Sequence, residues 1–236
     1  MTAFELAVQD VTGVQVAQAV GVDRIELCTG LALGGLTPSV ALVERAVVTG
    51  VEVHVLLRPR AGGFDYDEEE RRLIVADARA AMAAGAAGVV VGGTADGLVD
   101  DHLVRTVLDV AGEVTFHRAF DVLADSRRAV ATLIELGVQR VLTTGGQARA
   151  VDSLPELAEL VHQAGADLEI MAGGGIGPEN VAAVAATGVT AVHASAKRRV
   201  DAAPGPALGS ADTGGYETTD ESLVRQIVAV LAGEGS

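Results

Sequence analysis

Short runs of Val, Ile, Leu and Ala recur along the whole chain, and segments with helical periodicity separate them. A spacing of roughly 20 to 36 residues between such runs is typical of consecutive β–α units. The pattern therefore predicts strands at 4–8, 24–28, 51–57, 88–92, 114–118, 140–144, 168–172 and 191–195.

Helix-start and helix-stop residues bound several of the intervening segments. Pro38 follows Thr37 at one start, and Gly50 and Gly137 stand where two helices should end. The segment 67–85 opens with acidic residues, which suit the positive end of a helix dipole. Strand–helix alternation repeated eight times predicts parallel strands joined by crossover helices.

Eight such units in 236 residues predict a (β/α)8 TIM barrel that forms a single domain over residues 1–236. The alternative is a doubly wound open sheet, whose first strand is usually followed by G-x-G-x-x-G. The sequence after the first strand here is VQDVTGVQ, which lacks that fingerprint. One irregular region, rich in Pro, Gly, Asp and Thr, is expected to be a loop or lid at about 198–220.

Composition and charge exclude several classes of protein. Hydrophobic residues make up 49% of the chain, which is enough for a sizeable core, and the formal net charge is -15. Such a surface repels nucleic acid and anionic membranes. The N-terminus is not that of a signal peptide, and no apolar run reaches the roughly 18 residues that a membrane span needs. A soluble cytoplasmic protein is expected.

Charged and polar residues stand where the predicted apolar strands end. The C-terminal ends of barrel strands form the functional mouth of a TIM barrel, so these side chains predict a site there. Charged side chains are rarely buried unpaired, so a purely structural network of Glu, Arg and His is the alternative. The residues concerned are Glu26 and Cys28, Arg58 and Arg60, His117, Arg118 and Asp121, and Lys197; Glu5, His54 and His193 lie within strands.

These residue types suit an enzyme that acts on a small anionic metabolite. Arg58, Arg60 and Arg118 would supply charge, because planar guanidinium groups match carboxylates and phosphates. His117 is the expected general acid or base, with Glu26 orienting it or sharing the proton transfer. Asp121 is a further catalytic candidate, although it could simply pair with Arg118.

Two glycine-rich loops add to the prediction of an anion site. The seventh strand runs into AGGGIGPEN, and the amides of Gly174 and Gly175 would cradle an anion at the start of the following helix. The glycines could instead only make tight turns. Lys197 is a further substrate-binding candidate at the end of the last strand.

Metal-binding spacings such as H-x-x-x-H and C-x-x-C are absent from the sequence. The chain has one cysteine, Cys28, so an internal disulfide is impossible. Cys28 is either a soft metal ligand or a small buried hydrophobic residue.

An ordered set of segments resembles the CutC family of copper homeostasis proteins. The segments are DRIELCTGLALGGLTPS, VHVLLRPRAGGFDY, VTFHRAFDV, RVLTTGG, IMAGGGI and VHASAK, and together they extend over nearly the whole chain. The resemblance implies a cytoplasmic TIM barrel that forms homo-oligomers and binds copper through cysteines near the ends of the first two strands.

By that resemblance Cys28 is the Cu(I) ligand from the second strand. The first strand carries Ala7 and Val8 where relatives have a cysteine, and Asp65 stands where some relatives have a further cysteine. Cu(I) prefers two or three soft ligands, so the copper site of this chain would be incomplete. Two functions stay open: a copper homeostasis protein with Cys28 as ligand, and an enzyme for a small carboxylate or phosphate.

Overall fold

The structure is a computed structural model that describes residues 2–201 and 214–233. Eight parallel strands close into a barrel in which each strand pairs with its neighbours in sequence, and the last pairs with the first. The predicted (β/α)8 barrel is confirmed. The strands are β1 (Ala3–Val8), β2 (Arg24–Leu27), β3 (Val53–Leu56), β4 (Gly88–Val91), β5 (Val114–Phe116), β6 (Arg140–Thr143), β7 (Glu169–Gly173) and β8 (Ala191–Ala194).

Eight α-helices occur in the described part of the chain, one after each strand. The helices are α1 (Val11–Val20), α2 (Val40–Val47), α3 (Glu68–Ala83), α4 (Asp101–Leu108), α5 (Ser126–Leu136), α6 (Leu154–Ala164), α7 (Val181–Ala185) and α8 (Glu221–Leu231). Aspartate side chains cap several of them, as Asp67 does for α3 and Asp125 for α5, because each accepts a hydrogen bond from an otherwise unpaired N–H group of the first turn. Gly137 ends α5 in the left-handed conformation, as expected of a helix stop.

The apolar core lies between the barrel and the surrounding helices. Buried strand residues such as Phe4, Leu6, Ile25 and Leu27 belong to the same apolar cluster as helix residues such as Leu133. Burial on both faces explains why the strands are nearly continuous apolar runs rather than alternating ones.

The segment predicted as an irregular loop or lid is partly regular. Lys197–Asp201 pairs with Gly215–Thr219 in an antiparallel ribbon after β8. β-Branched and aromatic residues suit such a half-exposed ribbon, and Val200 pairs with Tyr216 across it. The remainder of the predicted loop, 202–213, lies outside the described residues.

A second short hairpin, which the sequence did not predict, joins Thr94–Ala95 to Leu98–Val99 after β4. In the described part of the chain, none of the helices has the length and apolar character needed to cross a membrane.

Candidate active site at the mouth of the barrel

A pocket of about 540 Å³ opens at the C-terminal ends of the barrel strands. Its walls combine apolar side chains, among them Leu56, Phe64 and Leu142, with several charged and polar ones. A concave, mostly apolar site with a few converging polar groups is typical of a small-molecule site. The polar lining residues are Glu26, Arg58, His117, Arg118, Asp121, His193, Ser195 and Lys197.

Arg58 follows β3 and lies at the wall of this pocket although it is only 7% exposed. Its two terminal nitrogens donate to the carbonyl oxygens of Leu33, Gly35 and Gly62 at 2.8, 2.8 and 3.0 Å. Its Nε makes no hydrogen bond within residues 2–201 and 214–233. The guanidinium carbon stands 5.3 Å from the ring centre of Phe64. Arg58 is therefore a buried cation whose described hydrogen-bond partners are all neutral carbonyl groups.

His117, the residue after β5, is buried with the ring of Phe64 4.9 Å from its own ring centre. Its Nδ1 accepts a hydrogen bond from the amide of Ala119 at 3.0 Å, so the proton of the neutral ring is on Nε2. Burial, reinforced by the positive charges of Arg58 and Arg118, lowers the pKa of His117 to about 3. The imidazole is neutral near pH 7 and offers an Nε2–H donor that has no partner among the described residues.

Arg118 and Asp121 form a pair at the rim, next to the end of β6. Arg118 Nε donates to Asp121 Oδ2 at 2.9 Å, and the hydroxyl of Thr143 and the amide and hydroxyl of Thr144 donate to the same carboxylate. The Asp121 side chain is 8% exposed and that of Arg118 46% exposed. Asp121 thus fixes Arg118 and the end of β6, while Arg118 keeps part of its guanidinium open to the pocket.

A chain of alternating acids and bases runs from the pocket into the barrel interior. His193 Nε2 lies 3.8 Å from Glu26 Oε2, and His193 Nδ1 lies 2.7 Å from Glu5 Oε1. Glu5 in turn accepts a hydrogen bond from Arg24 Nε at 2.6 Å. Both glutamates and Arg24 are buried. The register of the strands explains the alignment, because Glu5 stands opposite His193 across β1 and β8.

The two glutamates of this acid–base series, Glu5 and Glu26, differ in their acidity. Burial alone would raise the pKa of Glu5, but the hydrogen bond and charge of His193 and the charge of Arg24 outweigh it and lower that pKa to about 2. Burial raises the pKa of Glu26 to about 7, with only partial compensation from His193. For His193 the acids on either side outweigh burial, so its pKa is raised. Glu26 is therefore a carboxyl group that can gain or lose a proton near neutral pH.

A model of the CutC family matches residues 2–198 of the chain. A CutC family protein of Xanthomonas campestris pv. campestris is 41% identical over 239 aligned positions, which cover 97% of this chain and 98% of the relative. One from Agrobacterium fabrum is 38% identical over 235 residues, covering 97% and 94%. The chain belongs to the CutC family.

Solved structures agree with this assignment. CutC of Streptococcus agalactiae, a protein named for copper homeostasis, superposes with a TM-score of 0.78 at 29% identity, covering 83% of this chain and 99% of that one. A phosphoribosyl anthranilate isomerase from Thermus thermophilus has a TM-score of 0.58 at 13% identity, covering 98% and 99%. This second likeness concerns the fold alone.

Within this CutC chain, Cys28 does not face the pocket. Its side chain is fully buried in a small cluster with Leu56 and Val90, against which Leu31 packs. Burial, together with the negative charge of Glu26, raises the pKa of the Cys28 thiol well above its usual value. Cu(I) needs a thiolate and further soft ligands, and this surrounding disfavours the thiolate. The prediction of Cys28 as a metal ligand does not fit its position.

Arg60 is also placed differently from the prediction. It is not part of the pocket wall but pairs with Glu70 and donates to the carbonyl oxygens of Gly63 and Asp65 at 2.9 Å. Its guanidinium lies 5.1 Å from the ring centre of Tyr66. Arg60 shapes the loop between β3 and α3, because the turn after Pro59 directs it away from the barrel axis and toward the start of α3.

Gly174 and Gly175 do line the pocket, but no helix begins there. The backbone continues through a turn in which Asn180 Oδ1 accepts from the amide of Gly177 at 3.0 Å, and α7 has only five residues. A helix dipole aimed at these glycines is therefore absent. Gly174 is required for another reason: its φ is 100°, and a Cβ there would stand 2.6 Å from Thr144 Cγ2.

Lys197 lines the pocket, with its amine 2.7 Å from Glu217 Oε2 in the ribbon. The three histidines of the strands and strand ends do not share one site. His117 and His193 both line the pocket at the mouth, whereas His54 lies near the opposite end of the barrel beside Glu52 and Glu113. His193 was not among the predicted catalytic or substrate-binding residues, because its place between two glutamates follows only from strand register.

Proposed function

We propose that this CutC chain is an enzyme that binds a small carboxylate or phosphate ester at the mouth of the barrel and moves a proton on it. The observation that carries the proposal is Arg58, a buried guanidinium at the pocket wall that is hydrogen-bonded to neutral carbonyl groups. A buried charge without a counter-charge is costly, and an anionic ligand would supply one. Arg118, half-exposed at the rim of the same pocket, would add a second cation.

His117 and Glu26 would divide the chemistry between them. A neutral imidazole with its proton on Nε2 is a hydrogen-bond donor, which suits polarisation of a substrate carbonyl group. This role replaces the general acid or base expected from the sequence, because Nδ1 is occupied by the Ala119 amide. Glu26 is the better general base, since burial raises its pKa to about 7. The supported reaction class is proton abstraction next to a carbonyl group.

His193 would act through Glu26. Its Nδ1 is bonded to Glu5, and its Nε2 faces Glu26 at 3.8 Å. A protonated His193 would stabilise the Glu26 carboxylate formed when the proton moves on. Asp121, whose oxygens are all engaged, would position Arg118 rather than touch the substrate.

Anion binding is the direct test. Inorganic phosphate and malonate are titrated calorimetrically into the wild-type protein and into Arg118→Gln. Loss of one charged hydrogen bond costs about 1.5–3 kcal/mol, so we expect affinity to fall about 10-fold to 100-fold. Arg105→Gln is the matched control, because Arg105 is 62% exposed on α4, 3.9 Å from Asp101 and outside the pocket. Equal affinities in the two variants, or no binding to wild type, would contradict the proposal.

Copper homeostasis, for which the Streptococcus agalactiae relative is named, is the other function that the family suggests. A copper role would need donors other than Cys28, whose thiol is enclosed by apolar side chains. We therefore propose no copper-dependent step at the mouth. Homo-oligomeric assembly and a cytoplasmic location stay predictions.

A further inference from the structure

Glu52, His54 and Glu113 form a separate cluster at the end of the barrel opposite the mouth. Glu52 immediately precedes β3 and Glu113 immediately precedes β5, so both carboxylates stand at the N-terminal ends of parallel strands. One possible ligand atom from each of the three residues lies within 4.8 Å of the other two. The proposed catalytic pocket does not include any of them.

His54 distinguishes this cluster from an ordinary patch of surface acids. The residue is 0% exposed, and neither of its ring nitrogens makes a hydrogen bond within the described residues. Its Nε2 lies between the two carboxylates, at 3.2 Å from Glu52 Oε1 and 3.6 Å from Glu113 Oε1. Buried polar atoms are rarely left without a partner, and such an atom calls for an explanation.

The distances from His54 to the two carboxylates match those between ligands of a small cation. Zinc–nitrogen and zinc–oxygen bonds of about 2.0–2.1 Å in tetrahedral geometry place neighbouring ligands about 3.3–3.4 Å apart. The two observed separations, 3.2 and 3.6 Å, lie on either side of that value. We propose that Glu52, His54 and Glu113 are three protein ligands of a site for a divalent transition-metal ion of the zinc type.

Access and coordination number are consistent with such a site. The side chains of Glu52 and Glu113 are 45% and 34% exposed, whereas His54 closes the inner side. An ion can enter from solvent, and water would complete its coordination. One imidazole with two carboxylates suits a borderline ion such as zinc better than a soft Cu(I).

Arg140 contacts this cluster, and its positive charge would repel a bound cation. It donates to Glu113 Oε1 at 3.0 Å through Nη2 and to Glu169 Oε2 at 2.8 Å through Nε. A carboxylate oxygen has two lone pairs, so Glu113 can accept from Arg140 and still bind a metal ion; the arginine then holds the ligand in place. Arg140 pairs with both Glu113 and Glu169, so its single positive charge is shared between two carboxylates and does not cancel the charge of the cluster.

Gly88 leaves room for the histidine. A Cβ at this position would stand 3.0 Å from His54 Cε1 and 2.9 Å from the carbonyl oxygen of Glu113. Since β4 lies between the strands that carry His54 and Glu113, a glycine there lets the ring lean toward the second carboxylate.

The test is a zinc titration followed by isothermal calorimetry, with Co²⁺ absorption as a second readout of four-coordinate geometry. We expect one Zn²⁺ per chain and a visible Co²⁺ band for wild type. Glu52→Gln should weaken Zn²⁺ binding by at least about 10-fold and abolish the band, because loss of even an outer partner of a metal ligand costs about 10-fold to 100-fold. Glu52 is partly exposed, so this variant is expected to fold where His54→Gln could fail.

Glu169→Gln is the matched control, because Glu169 also pairs with Arg140 and is 48% exposed but is not one of the three ligands. It should keep wild-type affinity and the Co²⁺ band. The proposal fails if wild type binds no Zn²⁺, if Glu52→Gln binds as tightly as wild type, or if Glu169→Gln loses as much affinity as Glu52→Gln. Displacement of Zn²⁺ by an equal concentration of Mg²⁺ would overturn the assigned metal class.

Discussion

The pair of Arg24 and Glu5 in the barrel interior should be among the most stabilising polar interactions of the fold. The Glu5 side chain is 0% exposed and that of Arg24 8% exposed, with 2.6 Å between Nε and Oε2. Replacing Arg24 by Met keeps the apolar length of the side chain and removes the charge. The remaining Glu5 would then be a buried carboxylate held by His193 alone.

The cost of losing Arg24 follows from the burial of the pair and can be compared with the acidity of Glu5. Removing one partner of a buried ion pair typically costs about 3–5 kcal/mol. Independently, the pKa of Glu5 falls from 4.5 to about 2 on folding. At 1.36 kcal/mol per pKa unit, the interactions of this carboxylate are worth about 3 kcal/mol beyond the cost of burial. His193 supplies more of this than Arg24, so the figure gives the scale of the whole network and not the share of one pair. We therefore expect Arg24→Met to lose about 3 kcal/mol in the free energy of unfolding.

Urea denaturation followed by circular dichroism measures this loss at pH 7. The control is Arg225→Met, which breaks the exposed pair of Arg225 and Glu221 on α8, with side chains 54% and 50% exposed. Such a pair is worth about 0.3–0.5 kcal/mol. If Arg24→Met loses no more stability than this control, the reasoning about the buried pair is refuted.

The pH dependence gives a second check on the same pair. The folded pKa of Glu5 is lowered, so its contribution is fully present above the unfolded value of 4.5 and is lost as pH falls toward about 2. Wild type should therefore lose stability relative to Arg24→Met between about pH 5 and pH 2. A constant difference across that range would contradict the assignment.

Other predictions concern the mouth and its surroundings. The folded pKa of Glu26 is raised to about 7, so the proton on Glu26 stabilises the fold fully below pH 4.5, and this contribution is lost as pH rises through 7. In urea denaturation, Glu26→Gln should therefore gain stability relative to wild type as pH rises from 5 to 8. A loss of stability relative to wild type would contradict this prediction. Gly92→Ala should lower the melting temperature, because a Cβ at this position would stand 2.4 Å from His117 Nδ1. Gly112→Ala is the control, since Gly112 has open space around it and its substitution should leave the melting temperature unchanged. Equal melting temperatures for the two variants would refute the predicted clash. The buried Cys28 thiol should react with a thiol reagent only after unfolding. Cys28→Ser should retain as much Cu(I) as wild type in competition with a chelator. Rapid labelling of the native protein, or loss of Cu(I) binding in Cys28→Ser, would support Cys28 as a copper ligand.

The barrel, and the end of it at which the pocket lies, could both be predicted from the amino-acid sequence. Apolar runs at β–α spacing require parallel strands with crossover helices, and eight of them close on themselves. Side chains that follow parallel strands must gather at one end, which is why Glu26, Arg58, His117 and Arg118 line the same pocket. The direction of the chain alone is enough for this prediction.

The chemistry that each of these groups can perform depends instead on contacts between distant parts of the chain. The protonation of His117 depends on burial and on an amide two residues away, and that of Glu26 on burial and on His193 across the barrel. Arg60 and Cys28 stand within two residues of pocket residues, yet Arg60 pairs with Glu70 and Cys28 is covered by a small apolar cluster. The grouping of Glu52, His54 and Glu113 likewise depends on strands that are distant in sequence becoming neighbours, which no local pattern contains.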